Sequence, residues 1–255
     1  MENKKAMHLG VTKEDLGRYA FLPGSPERAA KIAKHFDNPQ EVAFNREFRT
    51  FSGTLDGVKV SVTSTGIGGP STAIAIEELY EYGVDTMMRI GTCASLSETV
   101  SKGDILLPRG AVKMEGTSDH YLPMEFPAVP SFDMMNTMFE TINDLGFKVH
   151  TDVSITKSSF HSQTKPNEQP VSETLNRKWS EYLRGGATTT SMECSVLFSV
   201  TQALGIRGAS VLVSATDYKV FDNQKPGDSY DIEEKAIKAG VESMRRIIQK
   251  DVDNN

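Results

Sequence analysis

The chain has 255 residues, of which 38% are hydrophobic and 24% charged, and its formal net charge is −6 at pH 7. These values are typical of a globular protein with room for one large α/β domain or two small ones; no run of about 18 or more apolar residues predicts a membrane span, and the N-terminal stretch lacks the apolar core of a secretory signal. The acidic balance argues against a nucleic-acid partner without excluding a small anion bound by convergent arginines, and the two cysteines, Cys93 and Cys194, indicate a reducing cytoplasm rather than a disulfide framework.

Strand-like and helix-like patterns alternate along the chain, without an internal repeat or a long linker. The predicted strands are Tyr19–Leu22, Val58–Thr63, Thr86–Ile90, Asp104–Leu107, Val153–Ile155 and Ala209–Val213. The predicted helices are Pro26–Phe36, Ser71–Tyr82, Phe132–Leu145, Ser191–Leu204 and Asp231–Lys250. This alternation predicts one α/β domain over residues 1–255, in which helices cover a mostly parallel sheet. Ligands of such sheets bind at the carboxyl ends of the strands.

The first predicted strand runs into the segment LPGSPERAAKIAKHF. Ser25 suits the N-cap of a helix and Pro26 its first position, and Gly24 leaves room for an anion at the exposed amides. Arg28 is unexpected there, because a cation in the first turn opposes the helix dipole. It is either a solvated arginine or one that shares an anion with the helix amides.

A glycine-rich segment, STGIGGPS at residues 64–71, lies between a predicted strand and a predicted helix. It is not a dinucleotide fingerprint, since Ser71 stands at the third glycine position, and it is not a phosphate loop, since no lysine follows. Gly66, Gly68 and Gly69 would let the backbone approach a ligand, although the same pattern fits a tight turn.

Arg89 interrupts the apolar run MMRI, which predicts a buried parallel strand. A buried arginine needs an anion, either a structural carboxylate or a bound phosphate. Gly91 and Thr92 follow and offer amides and a hydroxyl at the end of the strand. Two further arginines, Arg46 and Arg49, lie in the segment NREFRT, where either could simply be exposed.

Residues 157–172, KSSFHSQTKPNEQPVS, are the least regular part of the sequence. Their polar composition and their prolines predict a loop. The loop is either a disordered surface excursion or functional, since long structureless loops within compact domains are commonly functional.

Several motifs occur together in the order and spacing of the nucleoside phosphorylase-I family, which the chain resembles from about His8 to the region of Val213. These motifs are HLG, PGSPERA, REF, STGIGGPS, RIGT, EFPAV and SME. The resemblance implies a three-layer α/β/α fold around a central mixed, mostly parallel sheet. It also implies reversible phosphorolysis of uridine, and of deoxyuridine as a further candidate, to uracil and the sugar 1-phosphate. Inorganic phosphate is then a co-substrate and no cofactor is required.

The resemblance also carries site residues over, position by position. Phosphate would be bound by Gly24, Arg28, Arg89 and Thr92, and by Arg46 from a neighbouring subunit. The ribose would be bound by Met192, Glu193 and, from the neighbour, His8. The potassium ion that some members hold between paired subunits corresponds to Glu47, Ile67 and Ser71. Shared sites of this kind imply homodimers, commonly three of them in a hexamer.

Elementary chemistry agrees with this assignment. The nucleoside bond breaks through a transition state with positive charge on the sugar and negative charge on the departing base. Arg28, Arg46 and Arg89 can act catalytically by positioning phosphate at the anomeric carbon. Glu193 can accept hydrogen bonds from two ribose hydroxyls, unless it is a first-turn glutamate favoured by the helix dipole. No metal is needed for this chemistry, and no zinc spacing links the histidines His8, His35, His120, His150 and His161.

The segment that would bind the base departs from the family. The usual Gln and Arg, in a G-Q-x-R-Y context, are replaced by TKSSFHSQTKPNEQP. Phe160 matches a stacking phenylalanine and Gln163 takes the place of the glutamine, but the arginine has no clean counterpart. We therefore expect Lys157 to stabilise charge on the leaving base, with His161 as the weaker candidate. The alternative for Lys157 is a solvated loop lysine.

Asp217, in the segment VSATDYKV, is a second departure. It falls near the position at which the purine branch of the family carries an aspartate that protonates the base, so it is either such an acid or a loop residue. Ser191 replaces a glutamate before the Met-Glu pair, and Cys93 and Ala94 replace a Thr-Gly pair after RIGT.

Three alternatives to uridine phosphorolysis remain at this point. A purine nucleoside phosphorylase of the same family is favoured by Asp217 and opposed by STGIGGPS and EFPAV. A nucleosidase that uses water would not need three arginines. A non-catalytic protein that binds nucleoside or phosphate is favoured only by the altered base segment.

Overall fold

The computed structural model describes residues 4–218 and 230–253, and for Gln163, Tyr230 and Asp231 it describes the backbone alone. Within these residues the strands are β1 (Tyr19–Pro23), β2 (Asp37–Asn45), β3 (Phe48–Leu55), β4 (Val58–Thr63), β5 (Thr86–Ser95), β6 (Ile105–Leu106), β7 (Gly110–Met114), β8 (Val149–His150), β9 (Val153–Lys157), β10 (Ala187–Ser191) and β11 (Arg207–Ser214). The α-helices there are α1 (Pro26–Ala33), α2 (Gly69–Glu81), α3 (Phe132–Asp144), α4 (Phe160–Thr164), α5 (Ser172–Arg184), α6 (Cys194–Ala203) and α7 (Tyr230–Asp253).

The described strands form one mixed sheet that branches at β5. Its main path runs β2-β3-β4-β1-β5-β10-β9-β7, and β11 joins β5 and continues to β6 and β8. β4, β1, β5 and β11 are mutually parallel, whereas β2–β3, β3–β4, β5–β10 and β6–β11 are antiparallel pairs. The first part of β5 lies between β1 and β11, and Ala94 and Ser95 near its end pair with β10. The predicted mixed, mostly parallel sheet is confirmed.

Alternating side chains of the central strands build a hydrophobic core on each face of the sheet. On one face Phe21 of β1 and Ile90 of β5 pack with apolar residues of α1, α3 and α7. On the other face Leu22 and Met87 pack with apolar residues of α2 and α6. Both faces are therefore covered by helices, which confirms the three-layer α/β/α arrangement.

Five strands, β2, β3, β7, β8 and β10, and one long helix, α5, were not predicted. β2 is mostly exposed and has no apolar alternation, and the threonine run of β10 is buried although it is polar. α5 is amphipathic, but it is strongly polar overall and has no buried residue. β2 and β10 thus lack the alternating hydrophobic pattern of a strand, and α5 has too few apolar residues to stand out from the polar segment before it.

Several predicted boundaries were wrong. α1 ends at Ala33 rather than at Phe36, and β5 continues beyond Ile90 to Ser95. The helix expected from Ser191 begins at Cys194, because Ser191 is still the last residue of β10. The loop expected over residues 157–172 contains the end of β9 at Lys157 and the short helix α4, and α5 begins at Ser172. None of the described helices is both long and apolar enough to cross a membrane.

The parallel strands bring four chain segments to one edge of the sheet. Because β1, β4, β5 and β11 point the same way, the residues that follow them lie at neighbouring positions. Gly24 follows β1, the loop from Ser64 follows β4, and Ala215 follows β11, while β5 contributes Thr92 near its own end. The sheet therefore assembles the glycine-rich segments and the strand that carries Arg89.

We predict that Gly240→Leu destabilises the fold, because α7 lies against the sheet at this glycine. A Cβ atom at Gly240 would stand 2.5 Å from Ile90 Cδ1 and 3.3 Å from Val211 Cγ1. Overpacking of this kind costs about 1–3 kcal/mol. Urea denaturation measures the effect, with Lys238→Leu on the exposed side of α7 as the control. Equal stability of the two variants would show that α7 is not seated on β5 and β11 as described.

Candidate active site

A cavity of about 810 Å³ opens at this edge of the sheet. Eleven of the residues expected at the site line it, namely Gly24, Arg28, Glu47, Ile67, Ser71, Arg89, Thr92, Lys157, Phe160, Met192 and Glu193. Other parts of its wall come from residues that the sequence did not single out as ligands, including Thr190 and Thr216. The cavity thus joins segments that are up to about 190 positions apart in the sequence.

Arg89 and Glu193 form a buried ion pair in this cavity. Arg89 is 4% exposed on β5, and its Nη2 donates to Glu193 Oε2 at 2.5 Å. The same carboxylate accepts from the backbone N–H of Gly68 at 2.9 Å and of Met192 at 3.2 Å. Arg89 Nε and Nη1 are buried without a hydrogen-bond partner among the described residues. The guanidinium therefore has its structural carboxylate and still has donors left for an anion.

The glycine-rich segment packs its backbone between Glu193 and Glu47. Gly66 and Gly68 have φ angles of 70° and 93°, in the region that favours glycine. A Cβ atom at Gly66 would stand 2.7 Å from Glu47 Cγ, so no larger residue fits there without movement. The segment is thus a turn that touches the site through its backbone.

Gly91 keeps space around Arg89. A Cβ atom at Gly91 would lie 3.1 Å from Arg89 Nη2 and 3.2 Å from Arg89 Nε. A side chain there would press on the guanidinium that the strand presents to the cavity.

Arg28 lies in the first turn of α1 as expected, and its charge is compensated by a residue that the sequence did not suggest. Ser25 caps the helix by accepting from Arg28 N at 3.1 Å. Arg28 Nη2 donates to Glu233 Oε1 on α7 at 2.8 Å, and Lys31 Nζ donates to Glu233 Oε2 at 2.8 Å. Burial alone would raise the pKa of the Glu233 carboxyl, but the hydrogen bonds from Lys31 and Arg28 outweigh it and hold that pKa below its ordinary value.

Lys157 is the most deeply buried lysine of the site. It ends β9 with 4% exposure, and its Nζ lies 4.9 Å from the centre of the Phe160 ring. No hydrogen bond or ion pair of this ammonium occurs within residues 4–218 and 230–253. Burial lowers its pKa to about 8, although Glu193 and Cys93 act in the opposite direction. It is a cavity lysine, not a solvated loop lysine.

His8 and Arg46 do not line the cavity of their own chain. His8 Nδ1 lies 2.6 Å from Glu78 Oε1, and Asn45 Nδ2 donates to the carbonyl of His8 at 2.7 Å. Arg46 is exposed in the turn between β2 and β3 with a φ of 54°, a strained value for a residue other than glycine. The two residues thus lie on one outer surface of the chain, next to Asn45.

Two residues of the expected base site, Asp217 and His161, do not line the cavity. Asp217 is exposed, does not line the cavity, and accepts from the backbone N–H of Lys102 at 2.7 Å. His161 is exposed and packs edge-on against Phe160 with the ring centres 5.4 Å apart. The side chain of Gln163 lies outside the described part of the chain.

Glu47, Ile67 and Ser71 lie together around Gly66. A Cβ atom at Gly66 would meet Ser71 Oγ at 3.2 Å as well as Glu47, and Ser71 Oγ lies 3.4 Å from the carbonyl of Gly68. Oxygen donors of this kind fit a hard cation rather than a soft metal that prefers thiolate ligands. No cluster of three or more His, Cys, Asp or Glu side chains that could hold a metal occurs in the described residues. A potassium ion at this place stays a prediction.

The sequence is similar to enzymes with established names over almost its whole length. It matches the family described as the Phosphorylase superfamily over residues 18–250. A uridine phosphorylase of Treponema pallidum is 37% identical over 245 residues, 96% of this chain and 95% of the relative. A uridine phosphorylase of Escherichia coli is 33% identical over 97% of this chain and 100% of the relative, and a guanosine phosphorylase of Halorubrum lacusprofundi is 33% identical over 95% and 96%.

The family match covers most of the residues between β1 and the end of α7, and these relatives align over nearly their full lengths. The family indicated by the sequence motifs is therefore confirmed. The chain belongs to the phosphorylase superfamily.

Proposed function

We propose that the chain catalyses the reversible phosphorolysis of uridine to uracil and ribose 1-phosphate, with deoxyuridine as a further substrate. The observation that carries the proposal is the cavity that Arg28, Arg89 and Glu193 line together, in which two nitrogens of Arg89 have no hydrogen-bond partner among the described residues. The uridine phosphorylases of Treponema pallidum and Escherichia coli are similar over the whole of this region.

Phosphate binds between Arg28 and Arg89, at the amide of Gly24 and the hydroxyl of Thr92. One of its oxygens forms the bond to the anomeric carbon while the bond to the base nitrogen breaks, and the electron pair of that bond leaves with the base. The phosphate charge steadies the cationic sugar in the transition state. Glu193 accepts hydrogen bonds from the ribose hydroxyls, and Met192 lies beside it in the cavity wall.

Lys157 stabilises the departing uracil. The base stacks on Phe160, close to which the Lys157 ammonium is already held at 4.9 Å from the ring centre. A buried cation that has no ion-pair partner among the described residues is worth most when negative charge develops next to it. Gln163 is the proposed hydrogen-bond partner of the base, and the anion that leaves takes up a proton to become neutral uracil.

A second copy of the chain completes the site. Arg28 and Arg89 are each paired with a carboxylate, so a doubly charged phosphate needs further positive charge. Arg46 is exposed, strained and outside its own cavity, which suits a residue donated to the neighbour, and His8 lies on the same surface. The assembly is a homodimer with shared sites, and three such dimers form a hexamer. A potassium ion near Glu47 would neutralise carboxylate charge between the two copies.

Phosphorolysis of a purine nucleoside is the second candidate, because the guanosine phosphorylase of Halorubrum lacusprofundi is also similar over nearly the full chain. Asp217 was the sequence feature that favoured it. The carboxylate of Asp217 caps the backbone of Lys102 outside the cavity, which weighs against a base-protonating role.

The free thiols of Cys93 and Cys194 support a cytoplasmic location, which cell fractionation would check.

Uracil should be released from uridine only when phosphate is present. The purified chain is incubated with uridine, inosine or 5′-methylthioadenosine, each with and without phosphate, and the products are separated by chromatography. Release of uracil in buffer without phosphate would indicate a nucleosidase, and faster cleavage of inosine than of uridine would favour the purine reaction.

We expect Lys157→Met to lower kcat/KM for uridine by at least about 30-fold, which corresponds to about 2 kcal/mol of transition-state stabilisation. The thermal unfolding temperature should not fall, because methionine removes a buried charge. Since the pKa of Lys157 in the free chain is about 8, wild-type kcat/KM should decline as pH rises through that value and the ammonium is lost, and the variant should lack this decline. Lys113→Met is the matched control, because Lys113 is similarly buried but bonds the carbonyl of Pro123 outside the cavity. A loss of less than about threefold in Lys157→Met would remove Lys157 from the mechanism.

Arg46→Gly should abolish most of the phosphate-dependent activity without destabilising the chain, since glycine relieves a positive φ worth about 1 kcal/mol. Mixing Arg46→Gly with Arg28→Met by co-expression should restore activity, because a mixed dimer contains one site with both arginines. Analytical ultracentrifugation establishes the assembly size. If co-expression restores no activity while each variant still assembles, Arg46 acts in the site of its own chain and the proposal of a shared site is wrong.

A further inference from the structure

Glu233 connects two helices beside the cavity. It lies in the first turns of α7, and its two carboxylate oxygens each accept from a different cation of α1, Oε1 from Arg28 and Oε2 from Lys31, both at 2.8 Å. Its side chain is 16% exposed and that of Arg28 is 11% exposed. This carboxylate takes no part in the chemistry described above, yet it holds a cavity-lining arginine.

The contact matters because the position and length of the Arg28 side chain disfavour one fixed place for its guanidinium. It stands in the first turn of α1, where the helix dipole repels it, and its long side chain has many rotamers. Glu233 bonds only the Nη2 end of the guanidinium, and no other side-chain hydrogen bond of Arg28 occurs within the described residues. The remaining N–H donors of the fork stay available for an anion.

We propose that Glu233 is a positioning residue for phosphate: it fixes the guanidinium of Arg28 at the cavity wall before phosphate arrives, and Lys31 fixes Glu233. A side chain that is ordered in advance loses less conformational entropy when its ligand binds. The inference rests on the proposed function only in taking phosphate as the ligand of Arg28.

An alternative role for Glu233, competition with phosphate, predicts the opposite change in phosphate affinity. If Glu233 merely competed with phosphate for Arg28, its removal would add net positive charge beside the anion and tighten phosphate binding. Loss of a negative charge cannot by itself weaken phosphate binding through electrostatics. Weaker phosphate binding by Glu233→Ala would therefore identify a positioning role.

The test measures binding of inorganic phosphate by titration calorimetry and, separately, KM for phosphate and for uridine. Glu233→Ala should weaken phosphate binding about tenfold while KM for uridine changes less than about twofold. Glu233→Gln, whose amide oxygen can still accept from one cation, should recover part of the loss, to about threefold weaker than wild type.

Asp56→Asn is the matched control. It breaks an ion pair of the same helix, between Arg245 on α7 and Asp56 in the turn between β3 and β4, and asparagine tolerates the φ of 52° there. Asp56 does not line the cavity, so binding of phosphate should be unchanged. Thermal unfolding of each variant shows whether anchoring of α7 is affected to a similar extent.

Tighter phosphate binding by Glu233→Ala, an unchanged dissociation constant, or equal losses for phosphate and uridine would each overturn the inference. Absence of phosphate binding in the wild-type chain would overturn it as well. Because calorimetry needs no turnover, a chain whose phosphate binding weakens in Glu233→Ala as expected but that releases no uracil would refute the proposed function and leave this inference standing.

Discussion

The buried pair of Arg89 and Glu193 is the interaction on which the cavity depends. β5 carries Arg89 through the centre of the sheet, where a guanidinium without a counter-charge would cost several kcal/mol. Glu193, just before α6, supplies that charge, and its carboxylate also binds the amide of Gly68. One carboxylate therefore ties together the central strand, a helix on one face of the sheet and the glycine-rich turn. Two of the guanidinium nitrogens have no partner in the part of the chain that the structure describes, so the ion pair organises the site without filling it.

Charge balance explains why the site needs more than one chain in the proposed function. Each cavity arginine already has a carboxylate partner, Glu193 for Arg89 and Glu233 for Arg28. The remaining buried cation of the cavity wall, Lys157, lies next to Phe160, where the base is proposed to bind. A dianion added to this arrangement calls for another positive charge at the phosphate end. Arg46, which is exposed in the strained turn between β2 and β3, is well suited to supply this charge from a second copy of the chain.

The sequence predicted what depends on local chemistry. Arg89 within an apolar run required an anion, Ser25 and Pro26 marked the start of α1, and the glycines after β4 indicated a close backbone approach, all of which the structure contains. What it could not supply were partners set by the tertiary fold. Glu193 lies 104 positions from Arg89 and Glu233 lies 205 positions from Arg28, and neither separation leaves a pattern in a single sequence. Lys157 shows the same limit. The polar composition of residues 157–172 predicted a loop, but Lys157 is buried at the end of β9.

In the proposed reaction the arginines of this cavity bring inorganic phosphate to the sugar carbon of uridine. Phosphorus NMR of the purified chain with uridine and inorganic phosphate follows this nucleophile itself. We expect the phosphate resonance to decline as a ribose 1-phosphate resonance grows, in step with uracil formation. Formation of uracil while the inorganic phosphate resonance stays constant would show that phosphate is not the nucleophile.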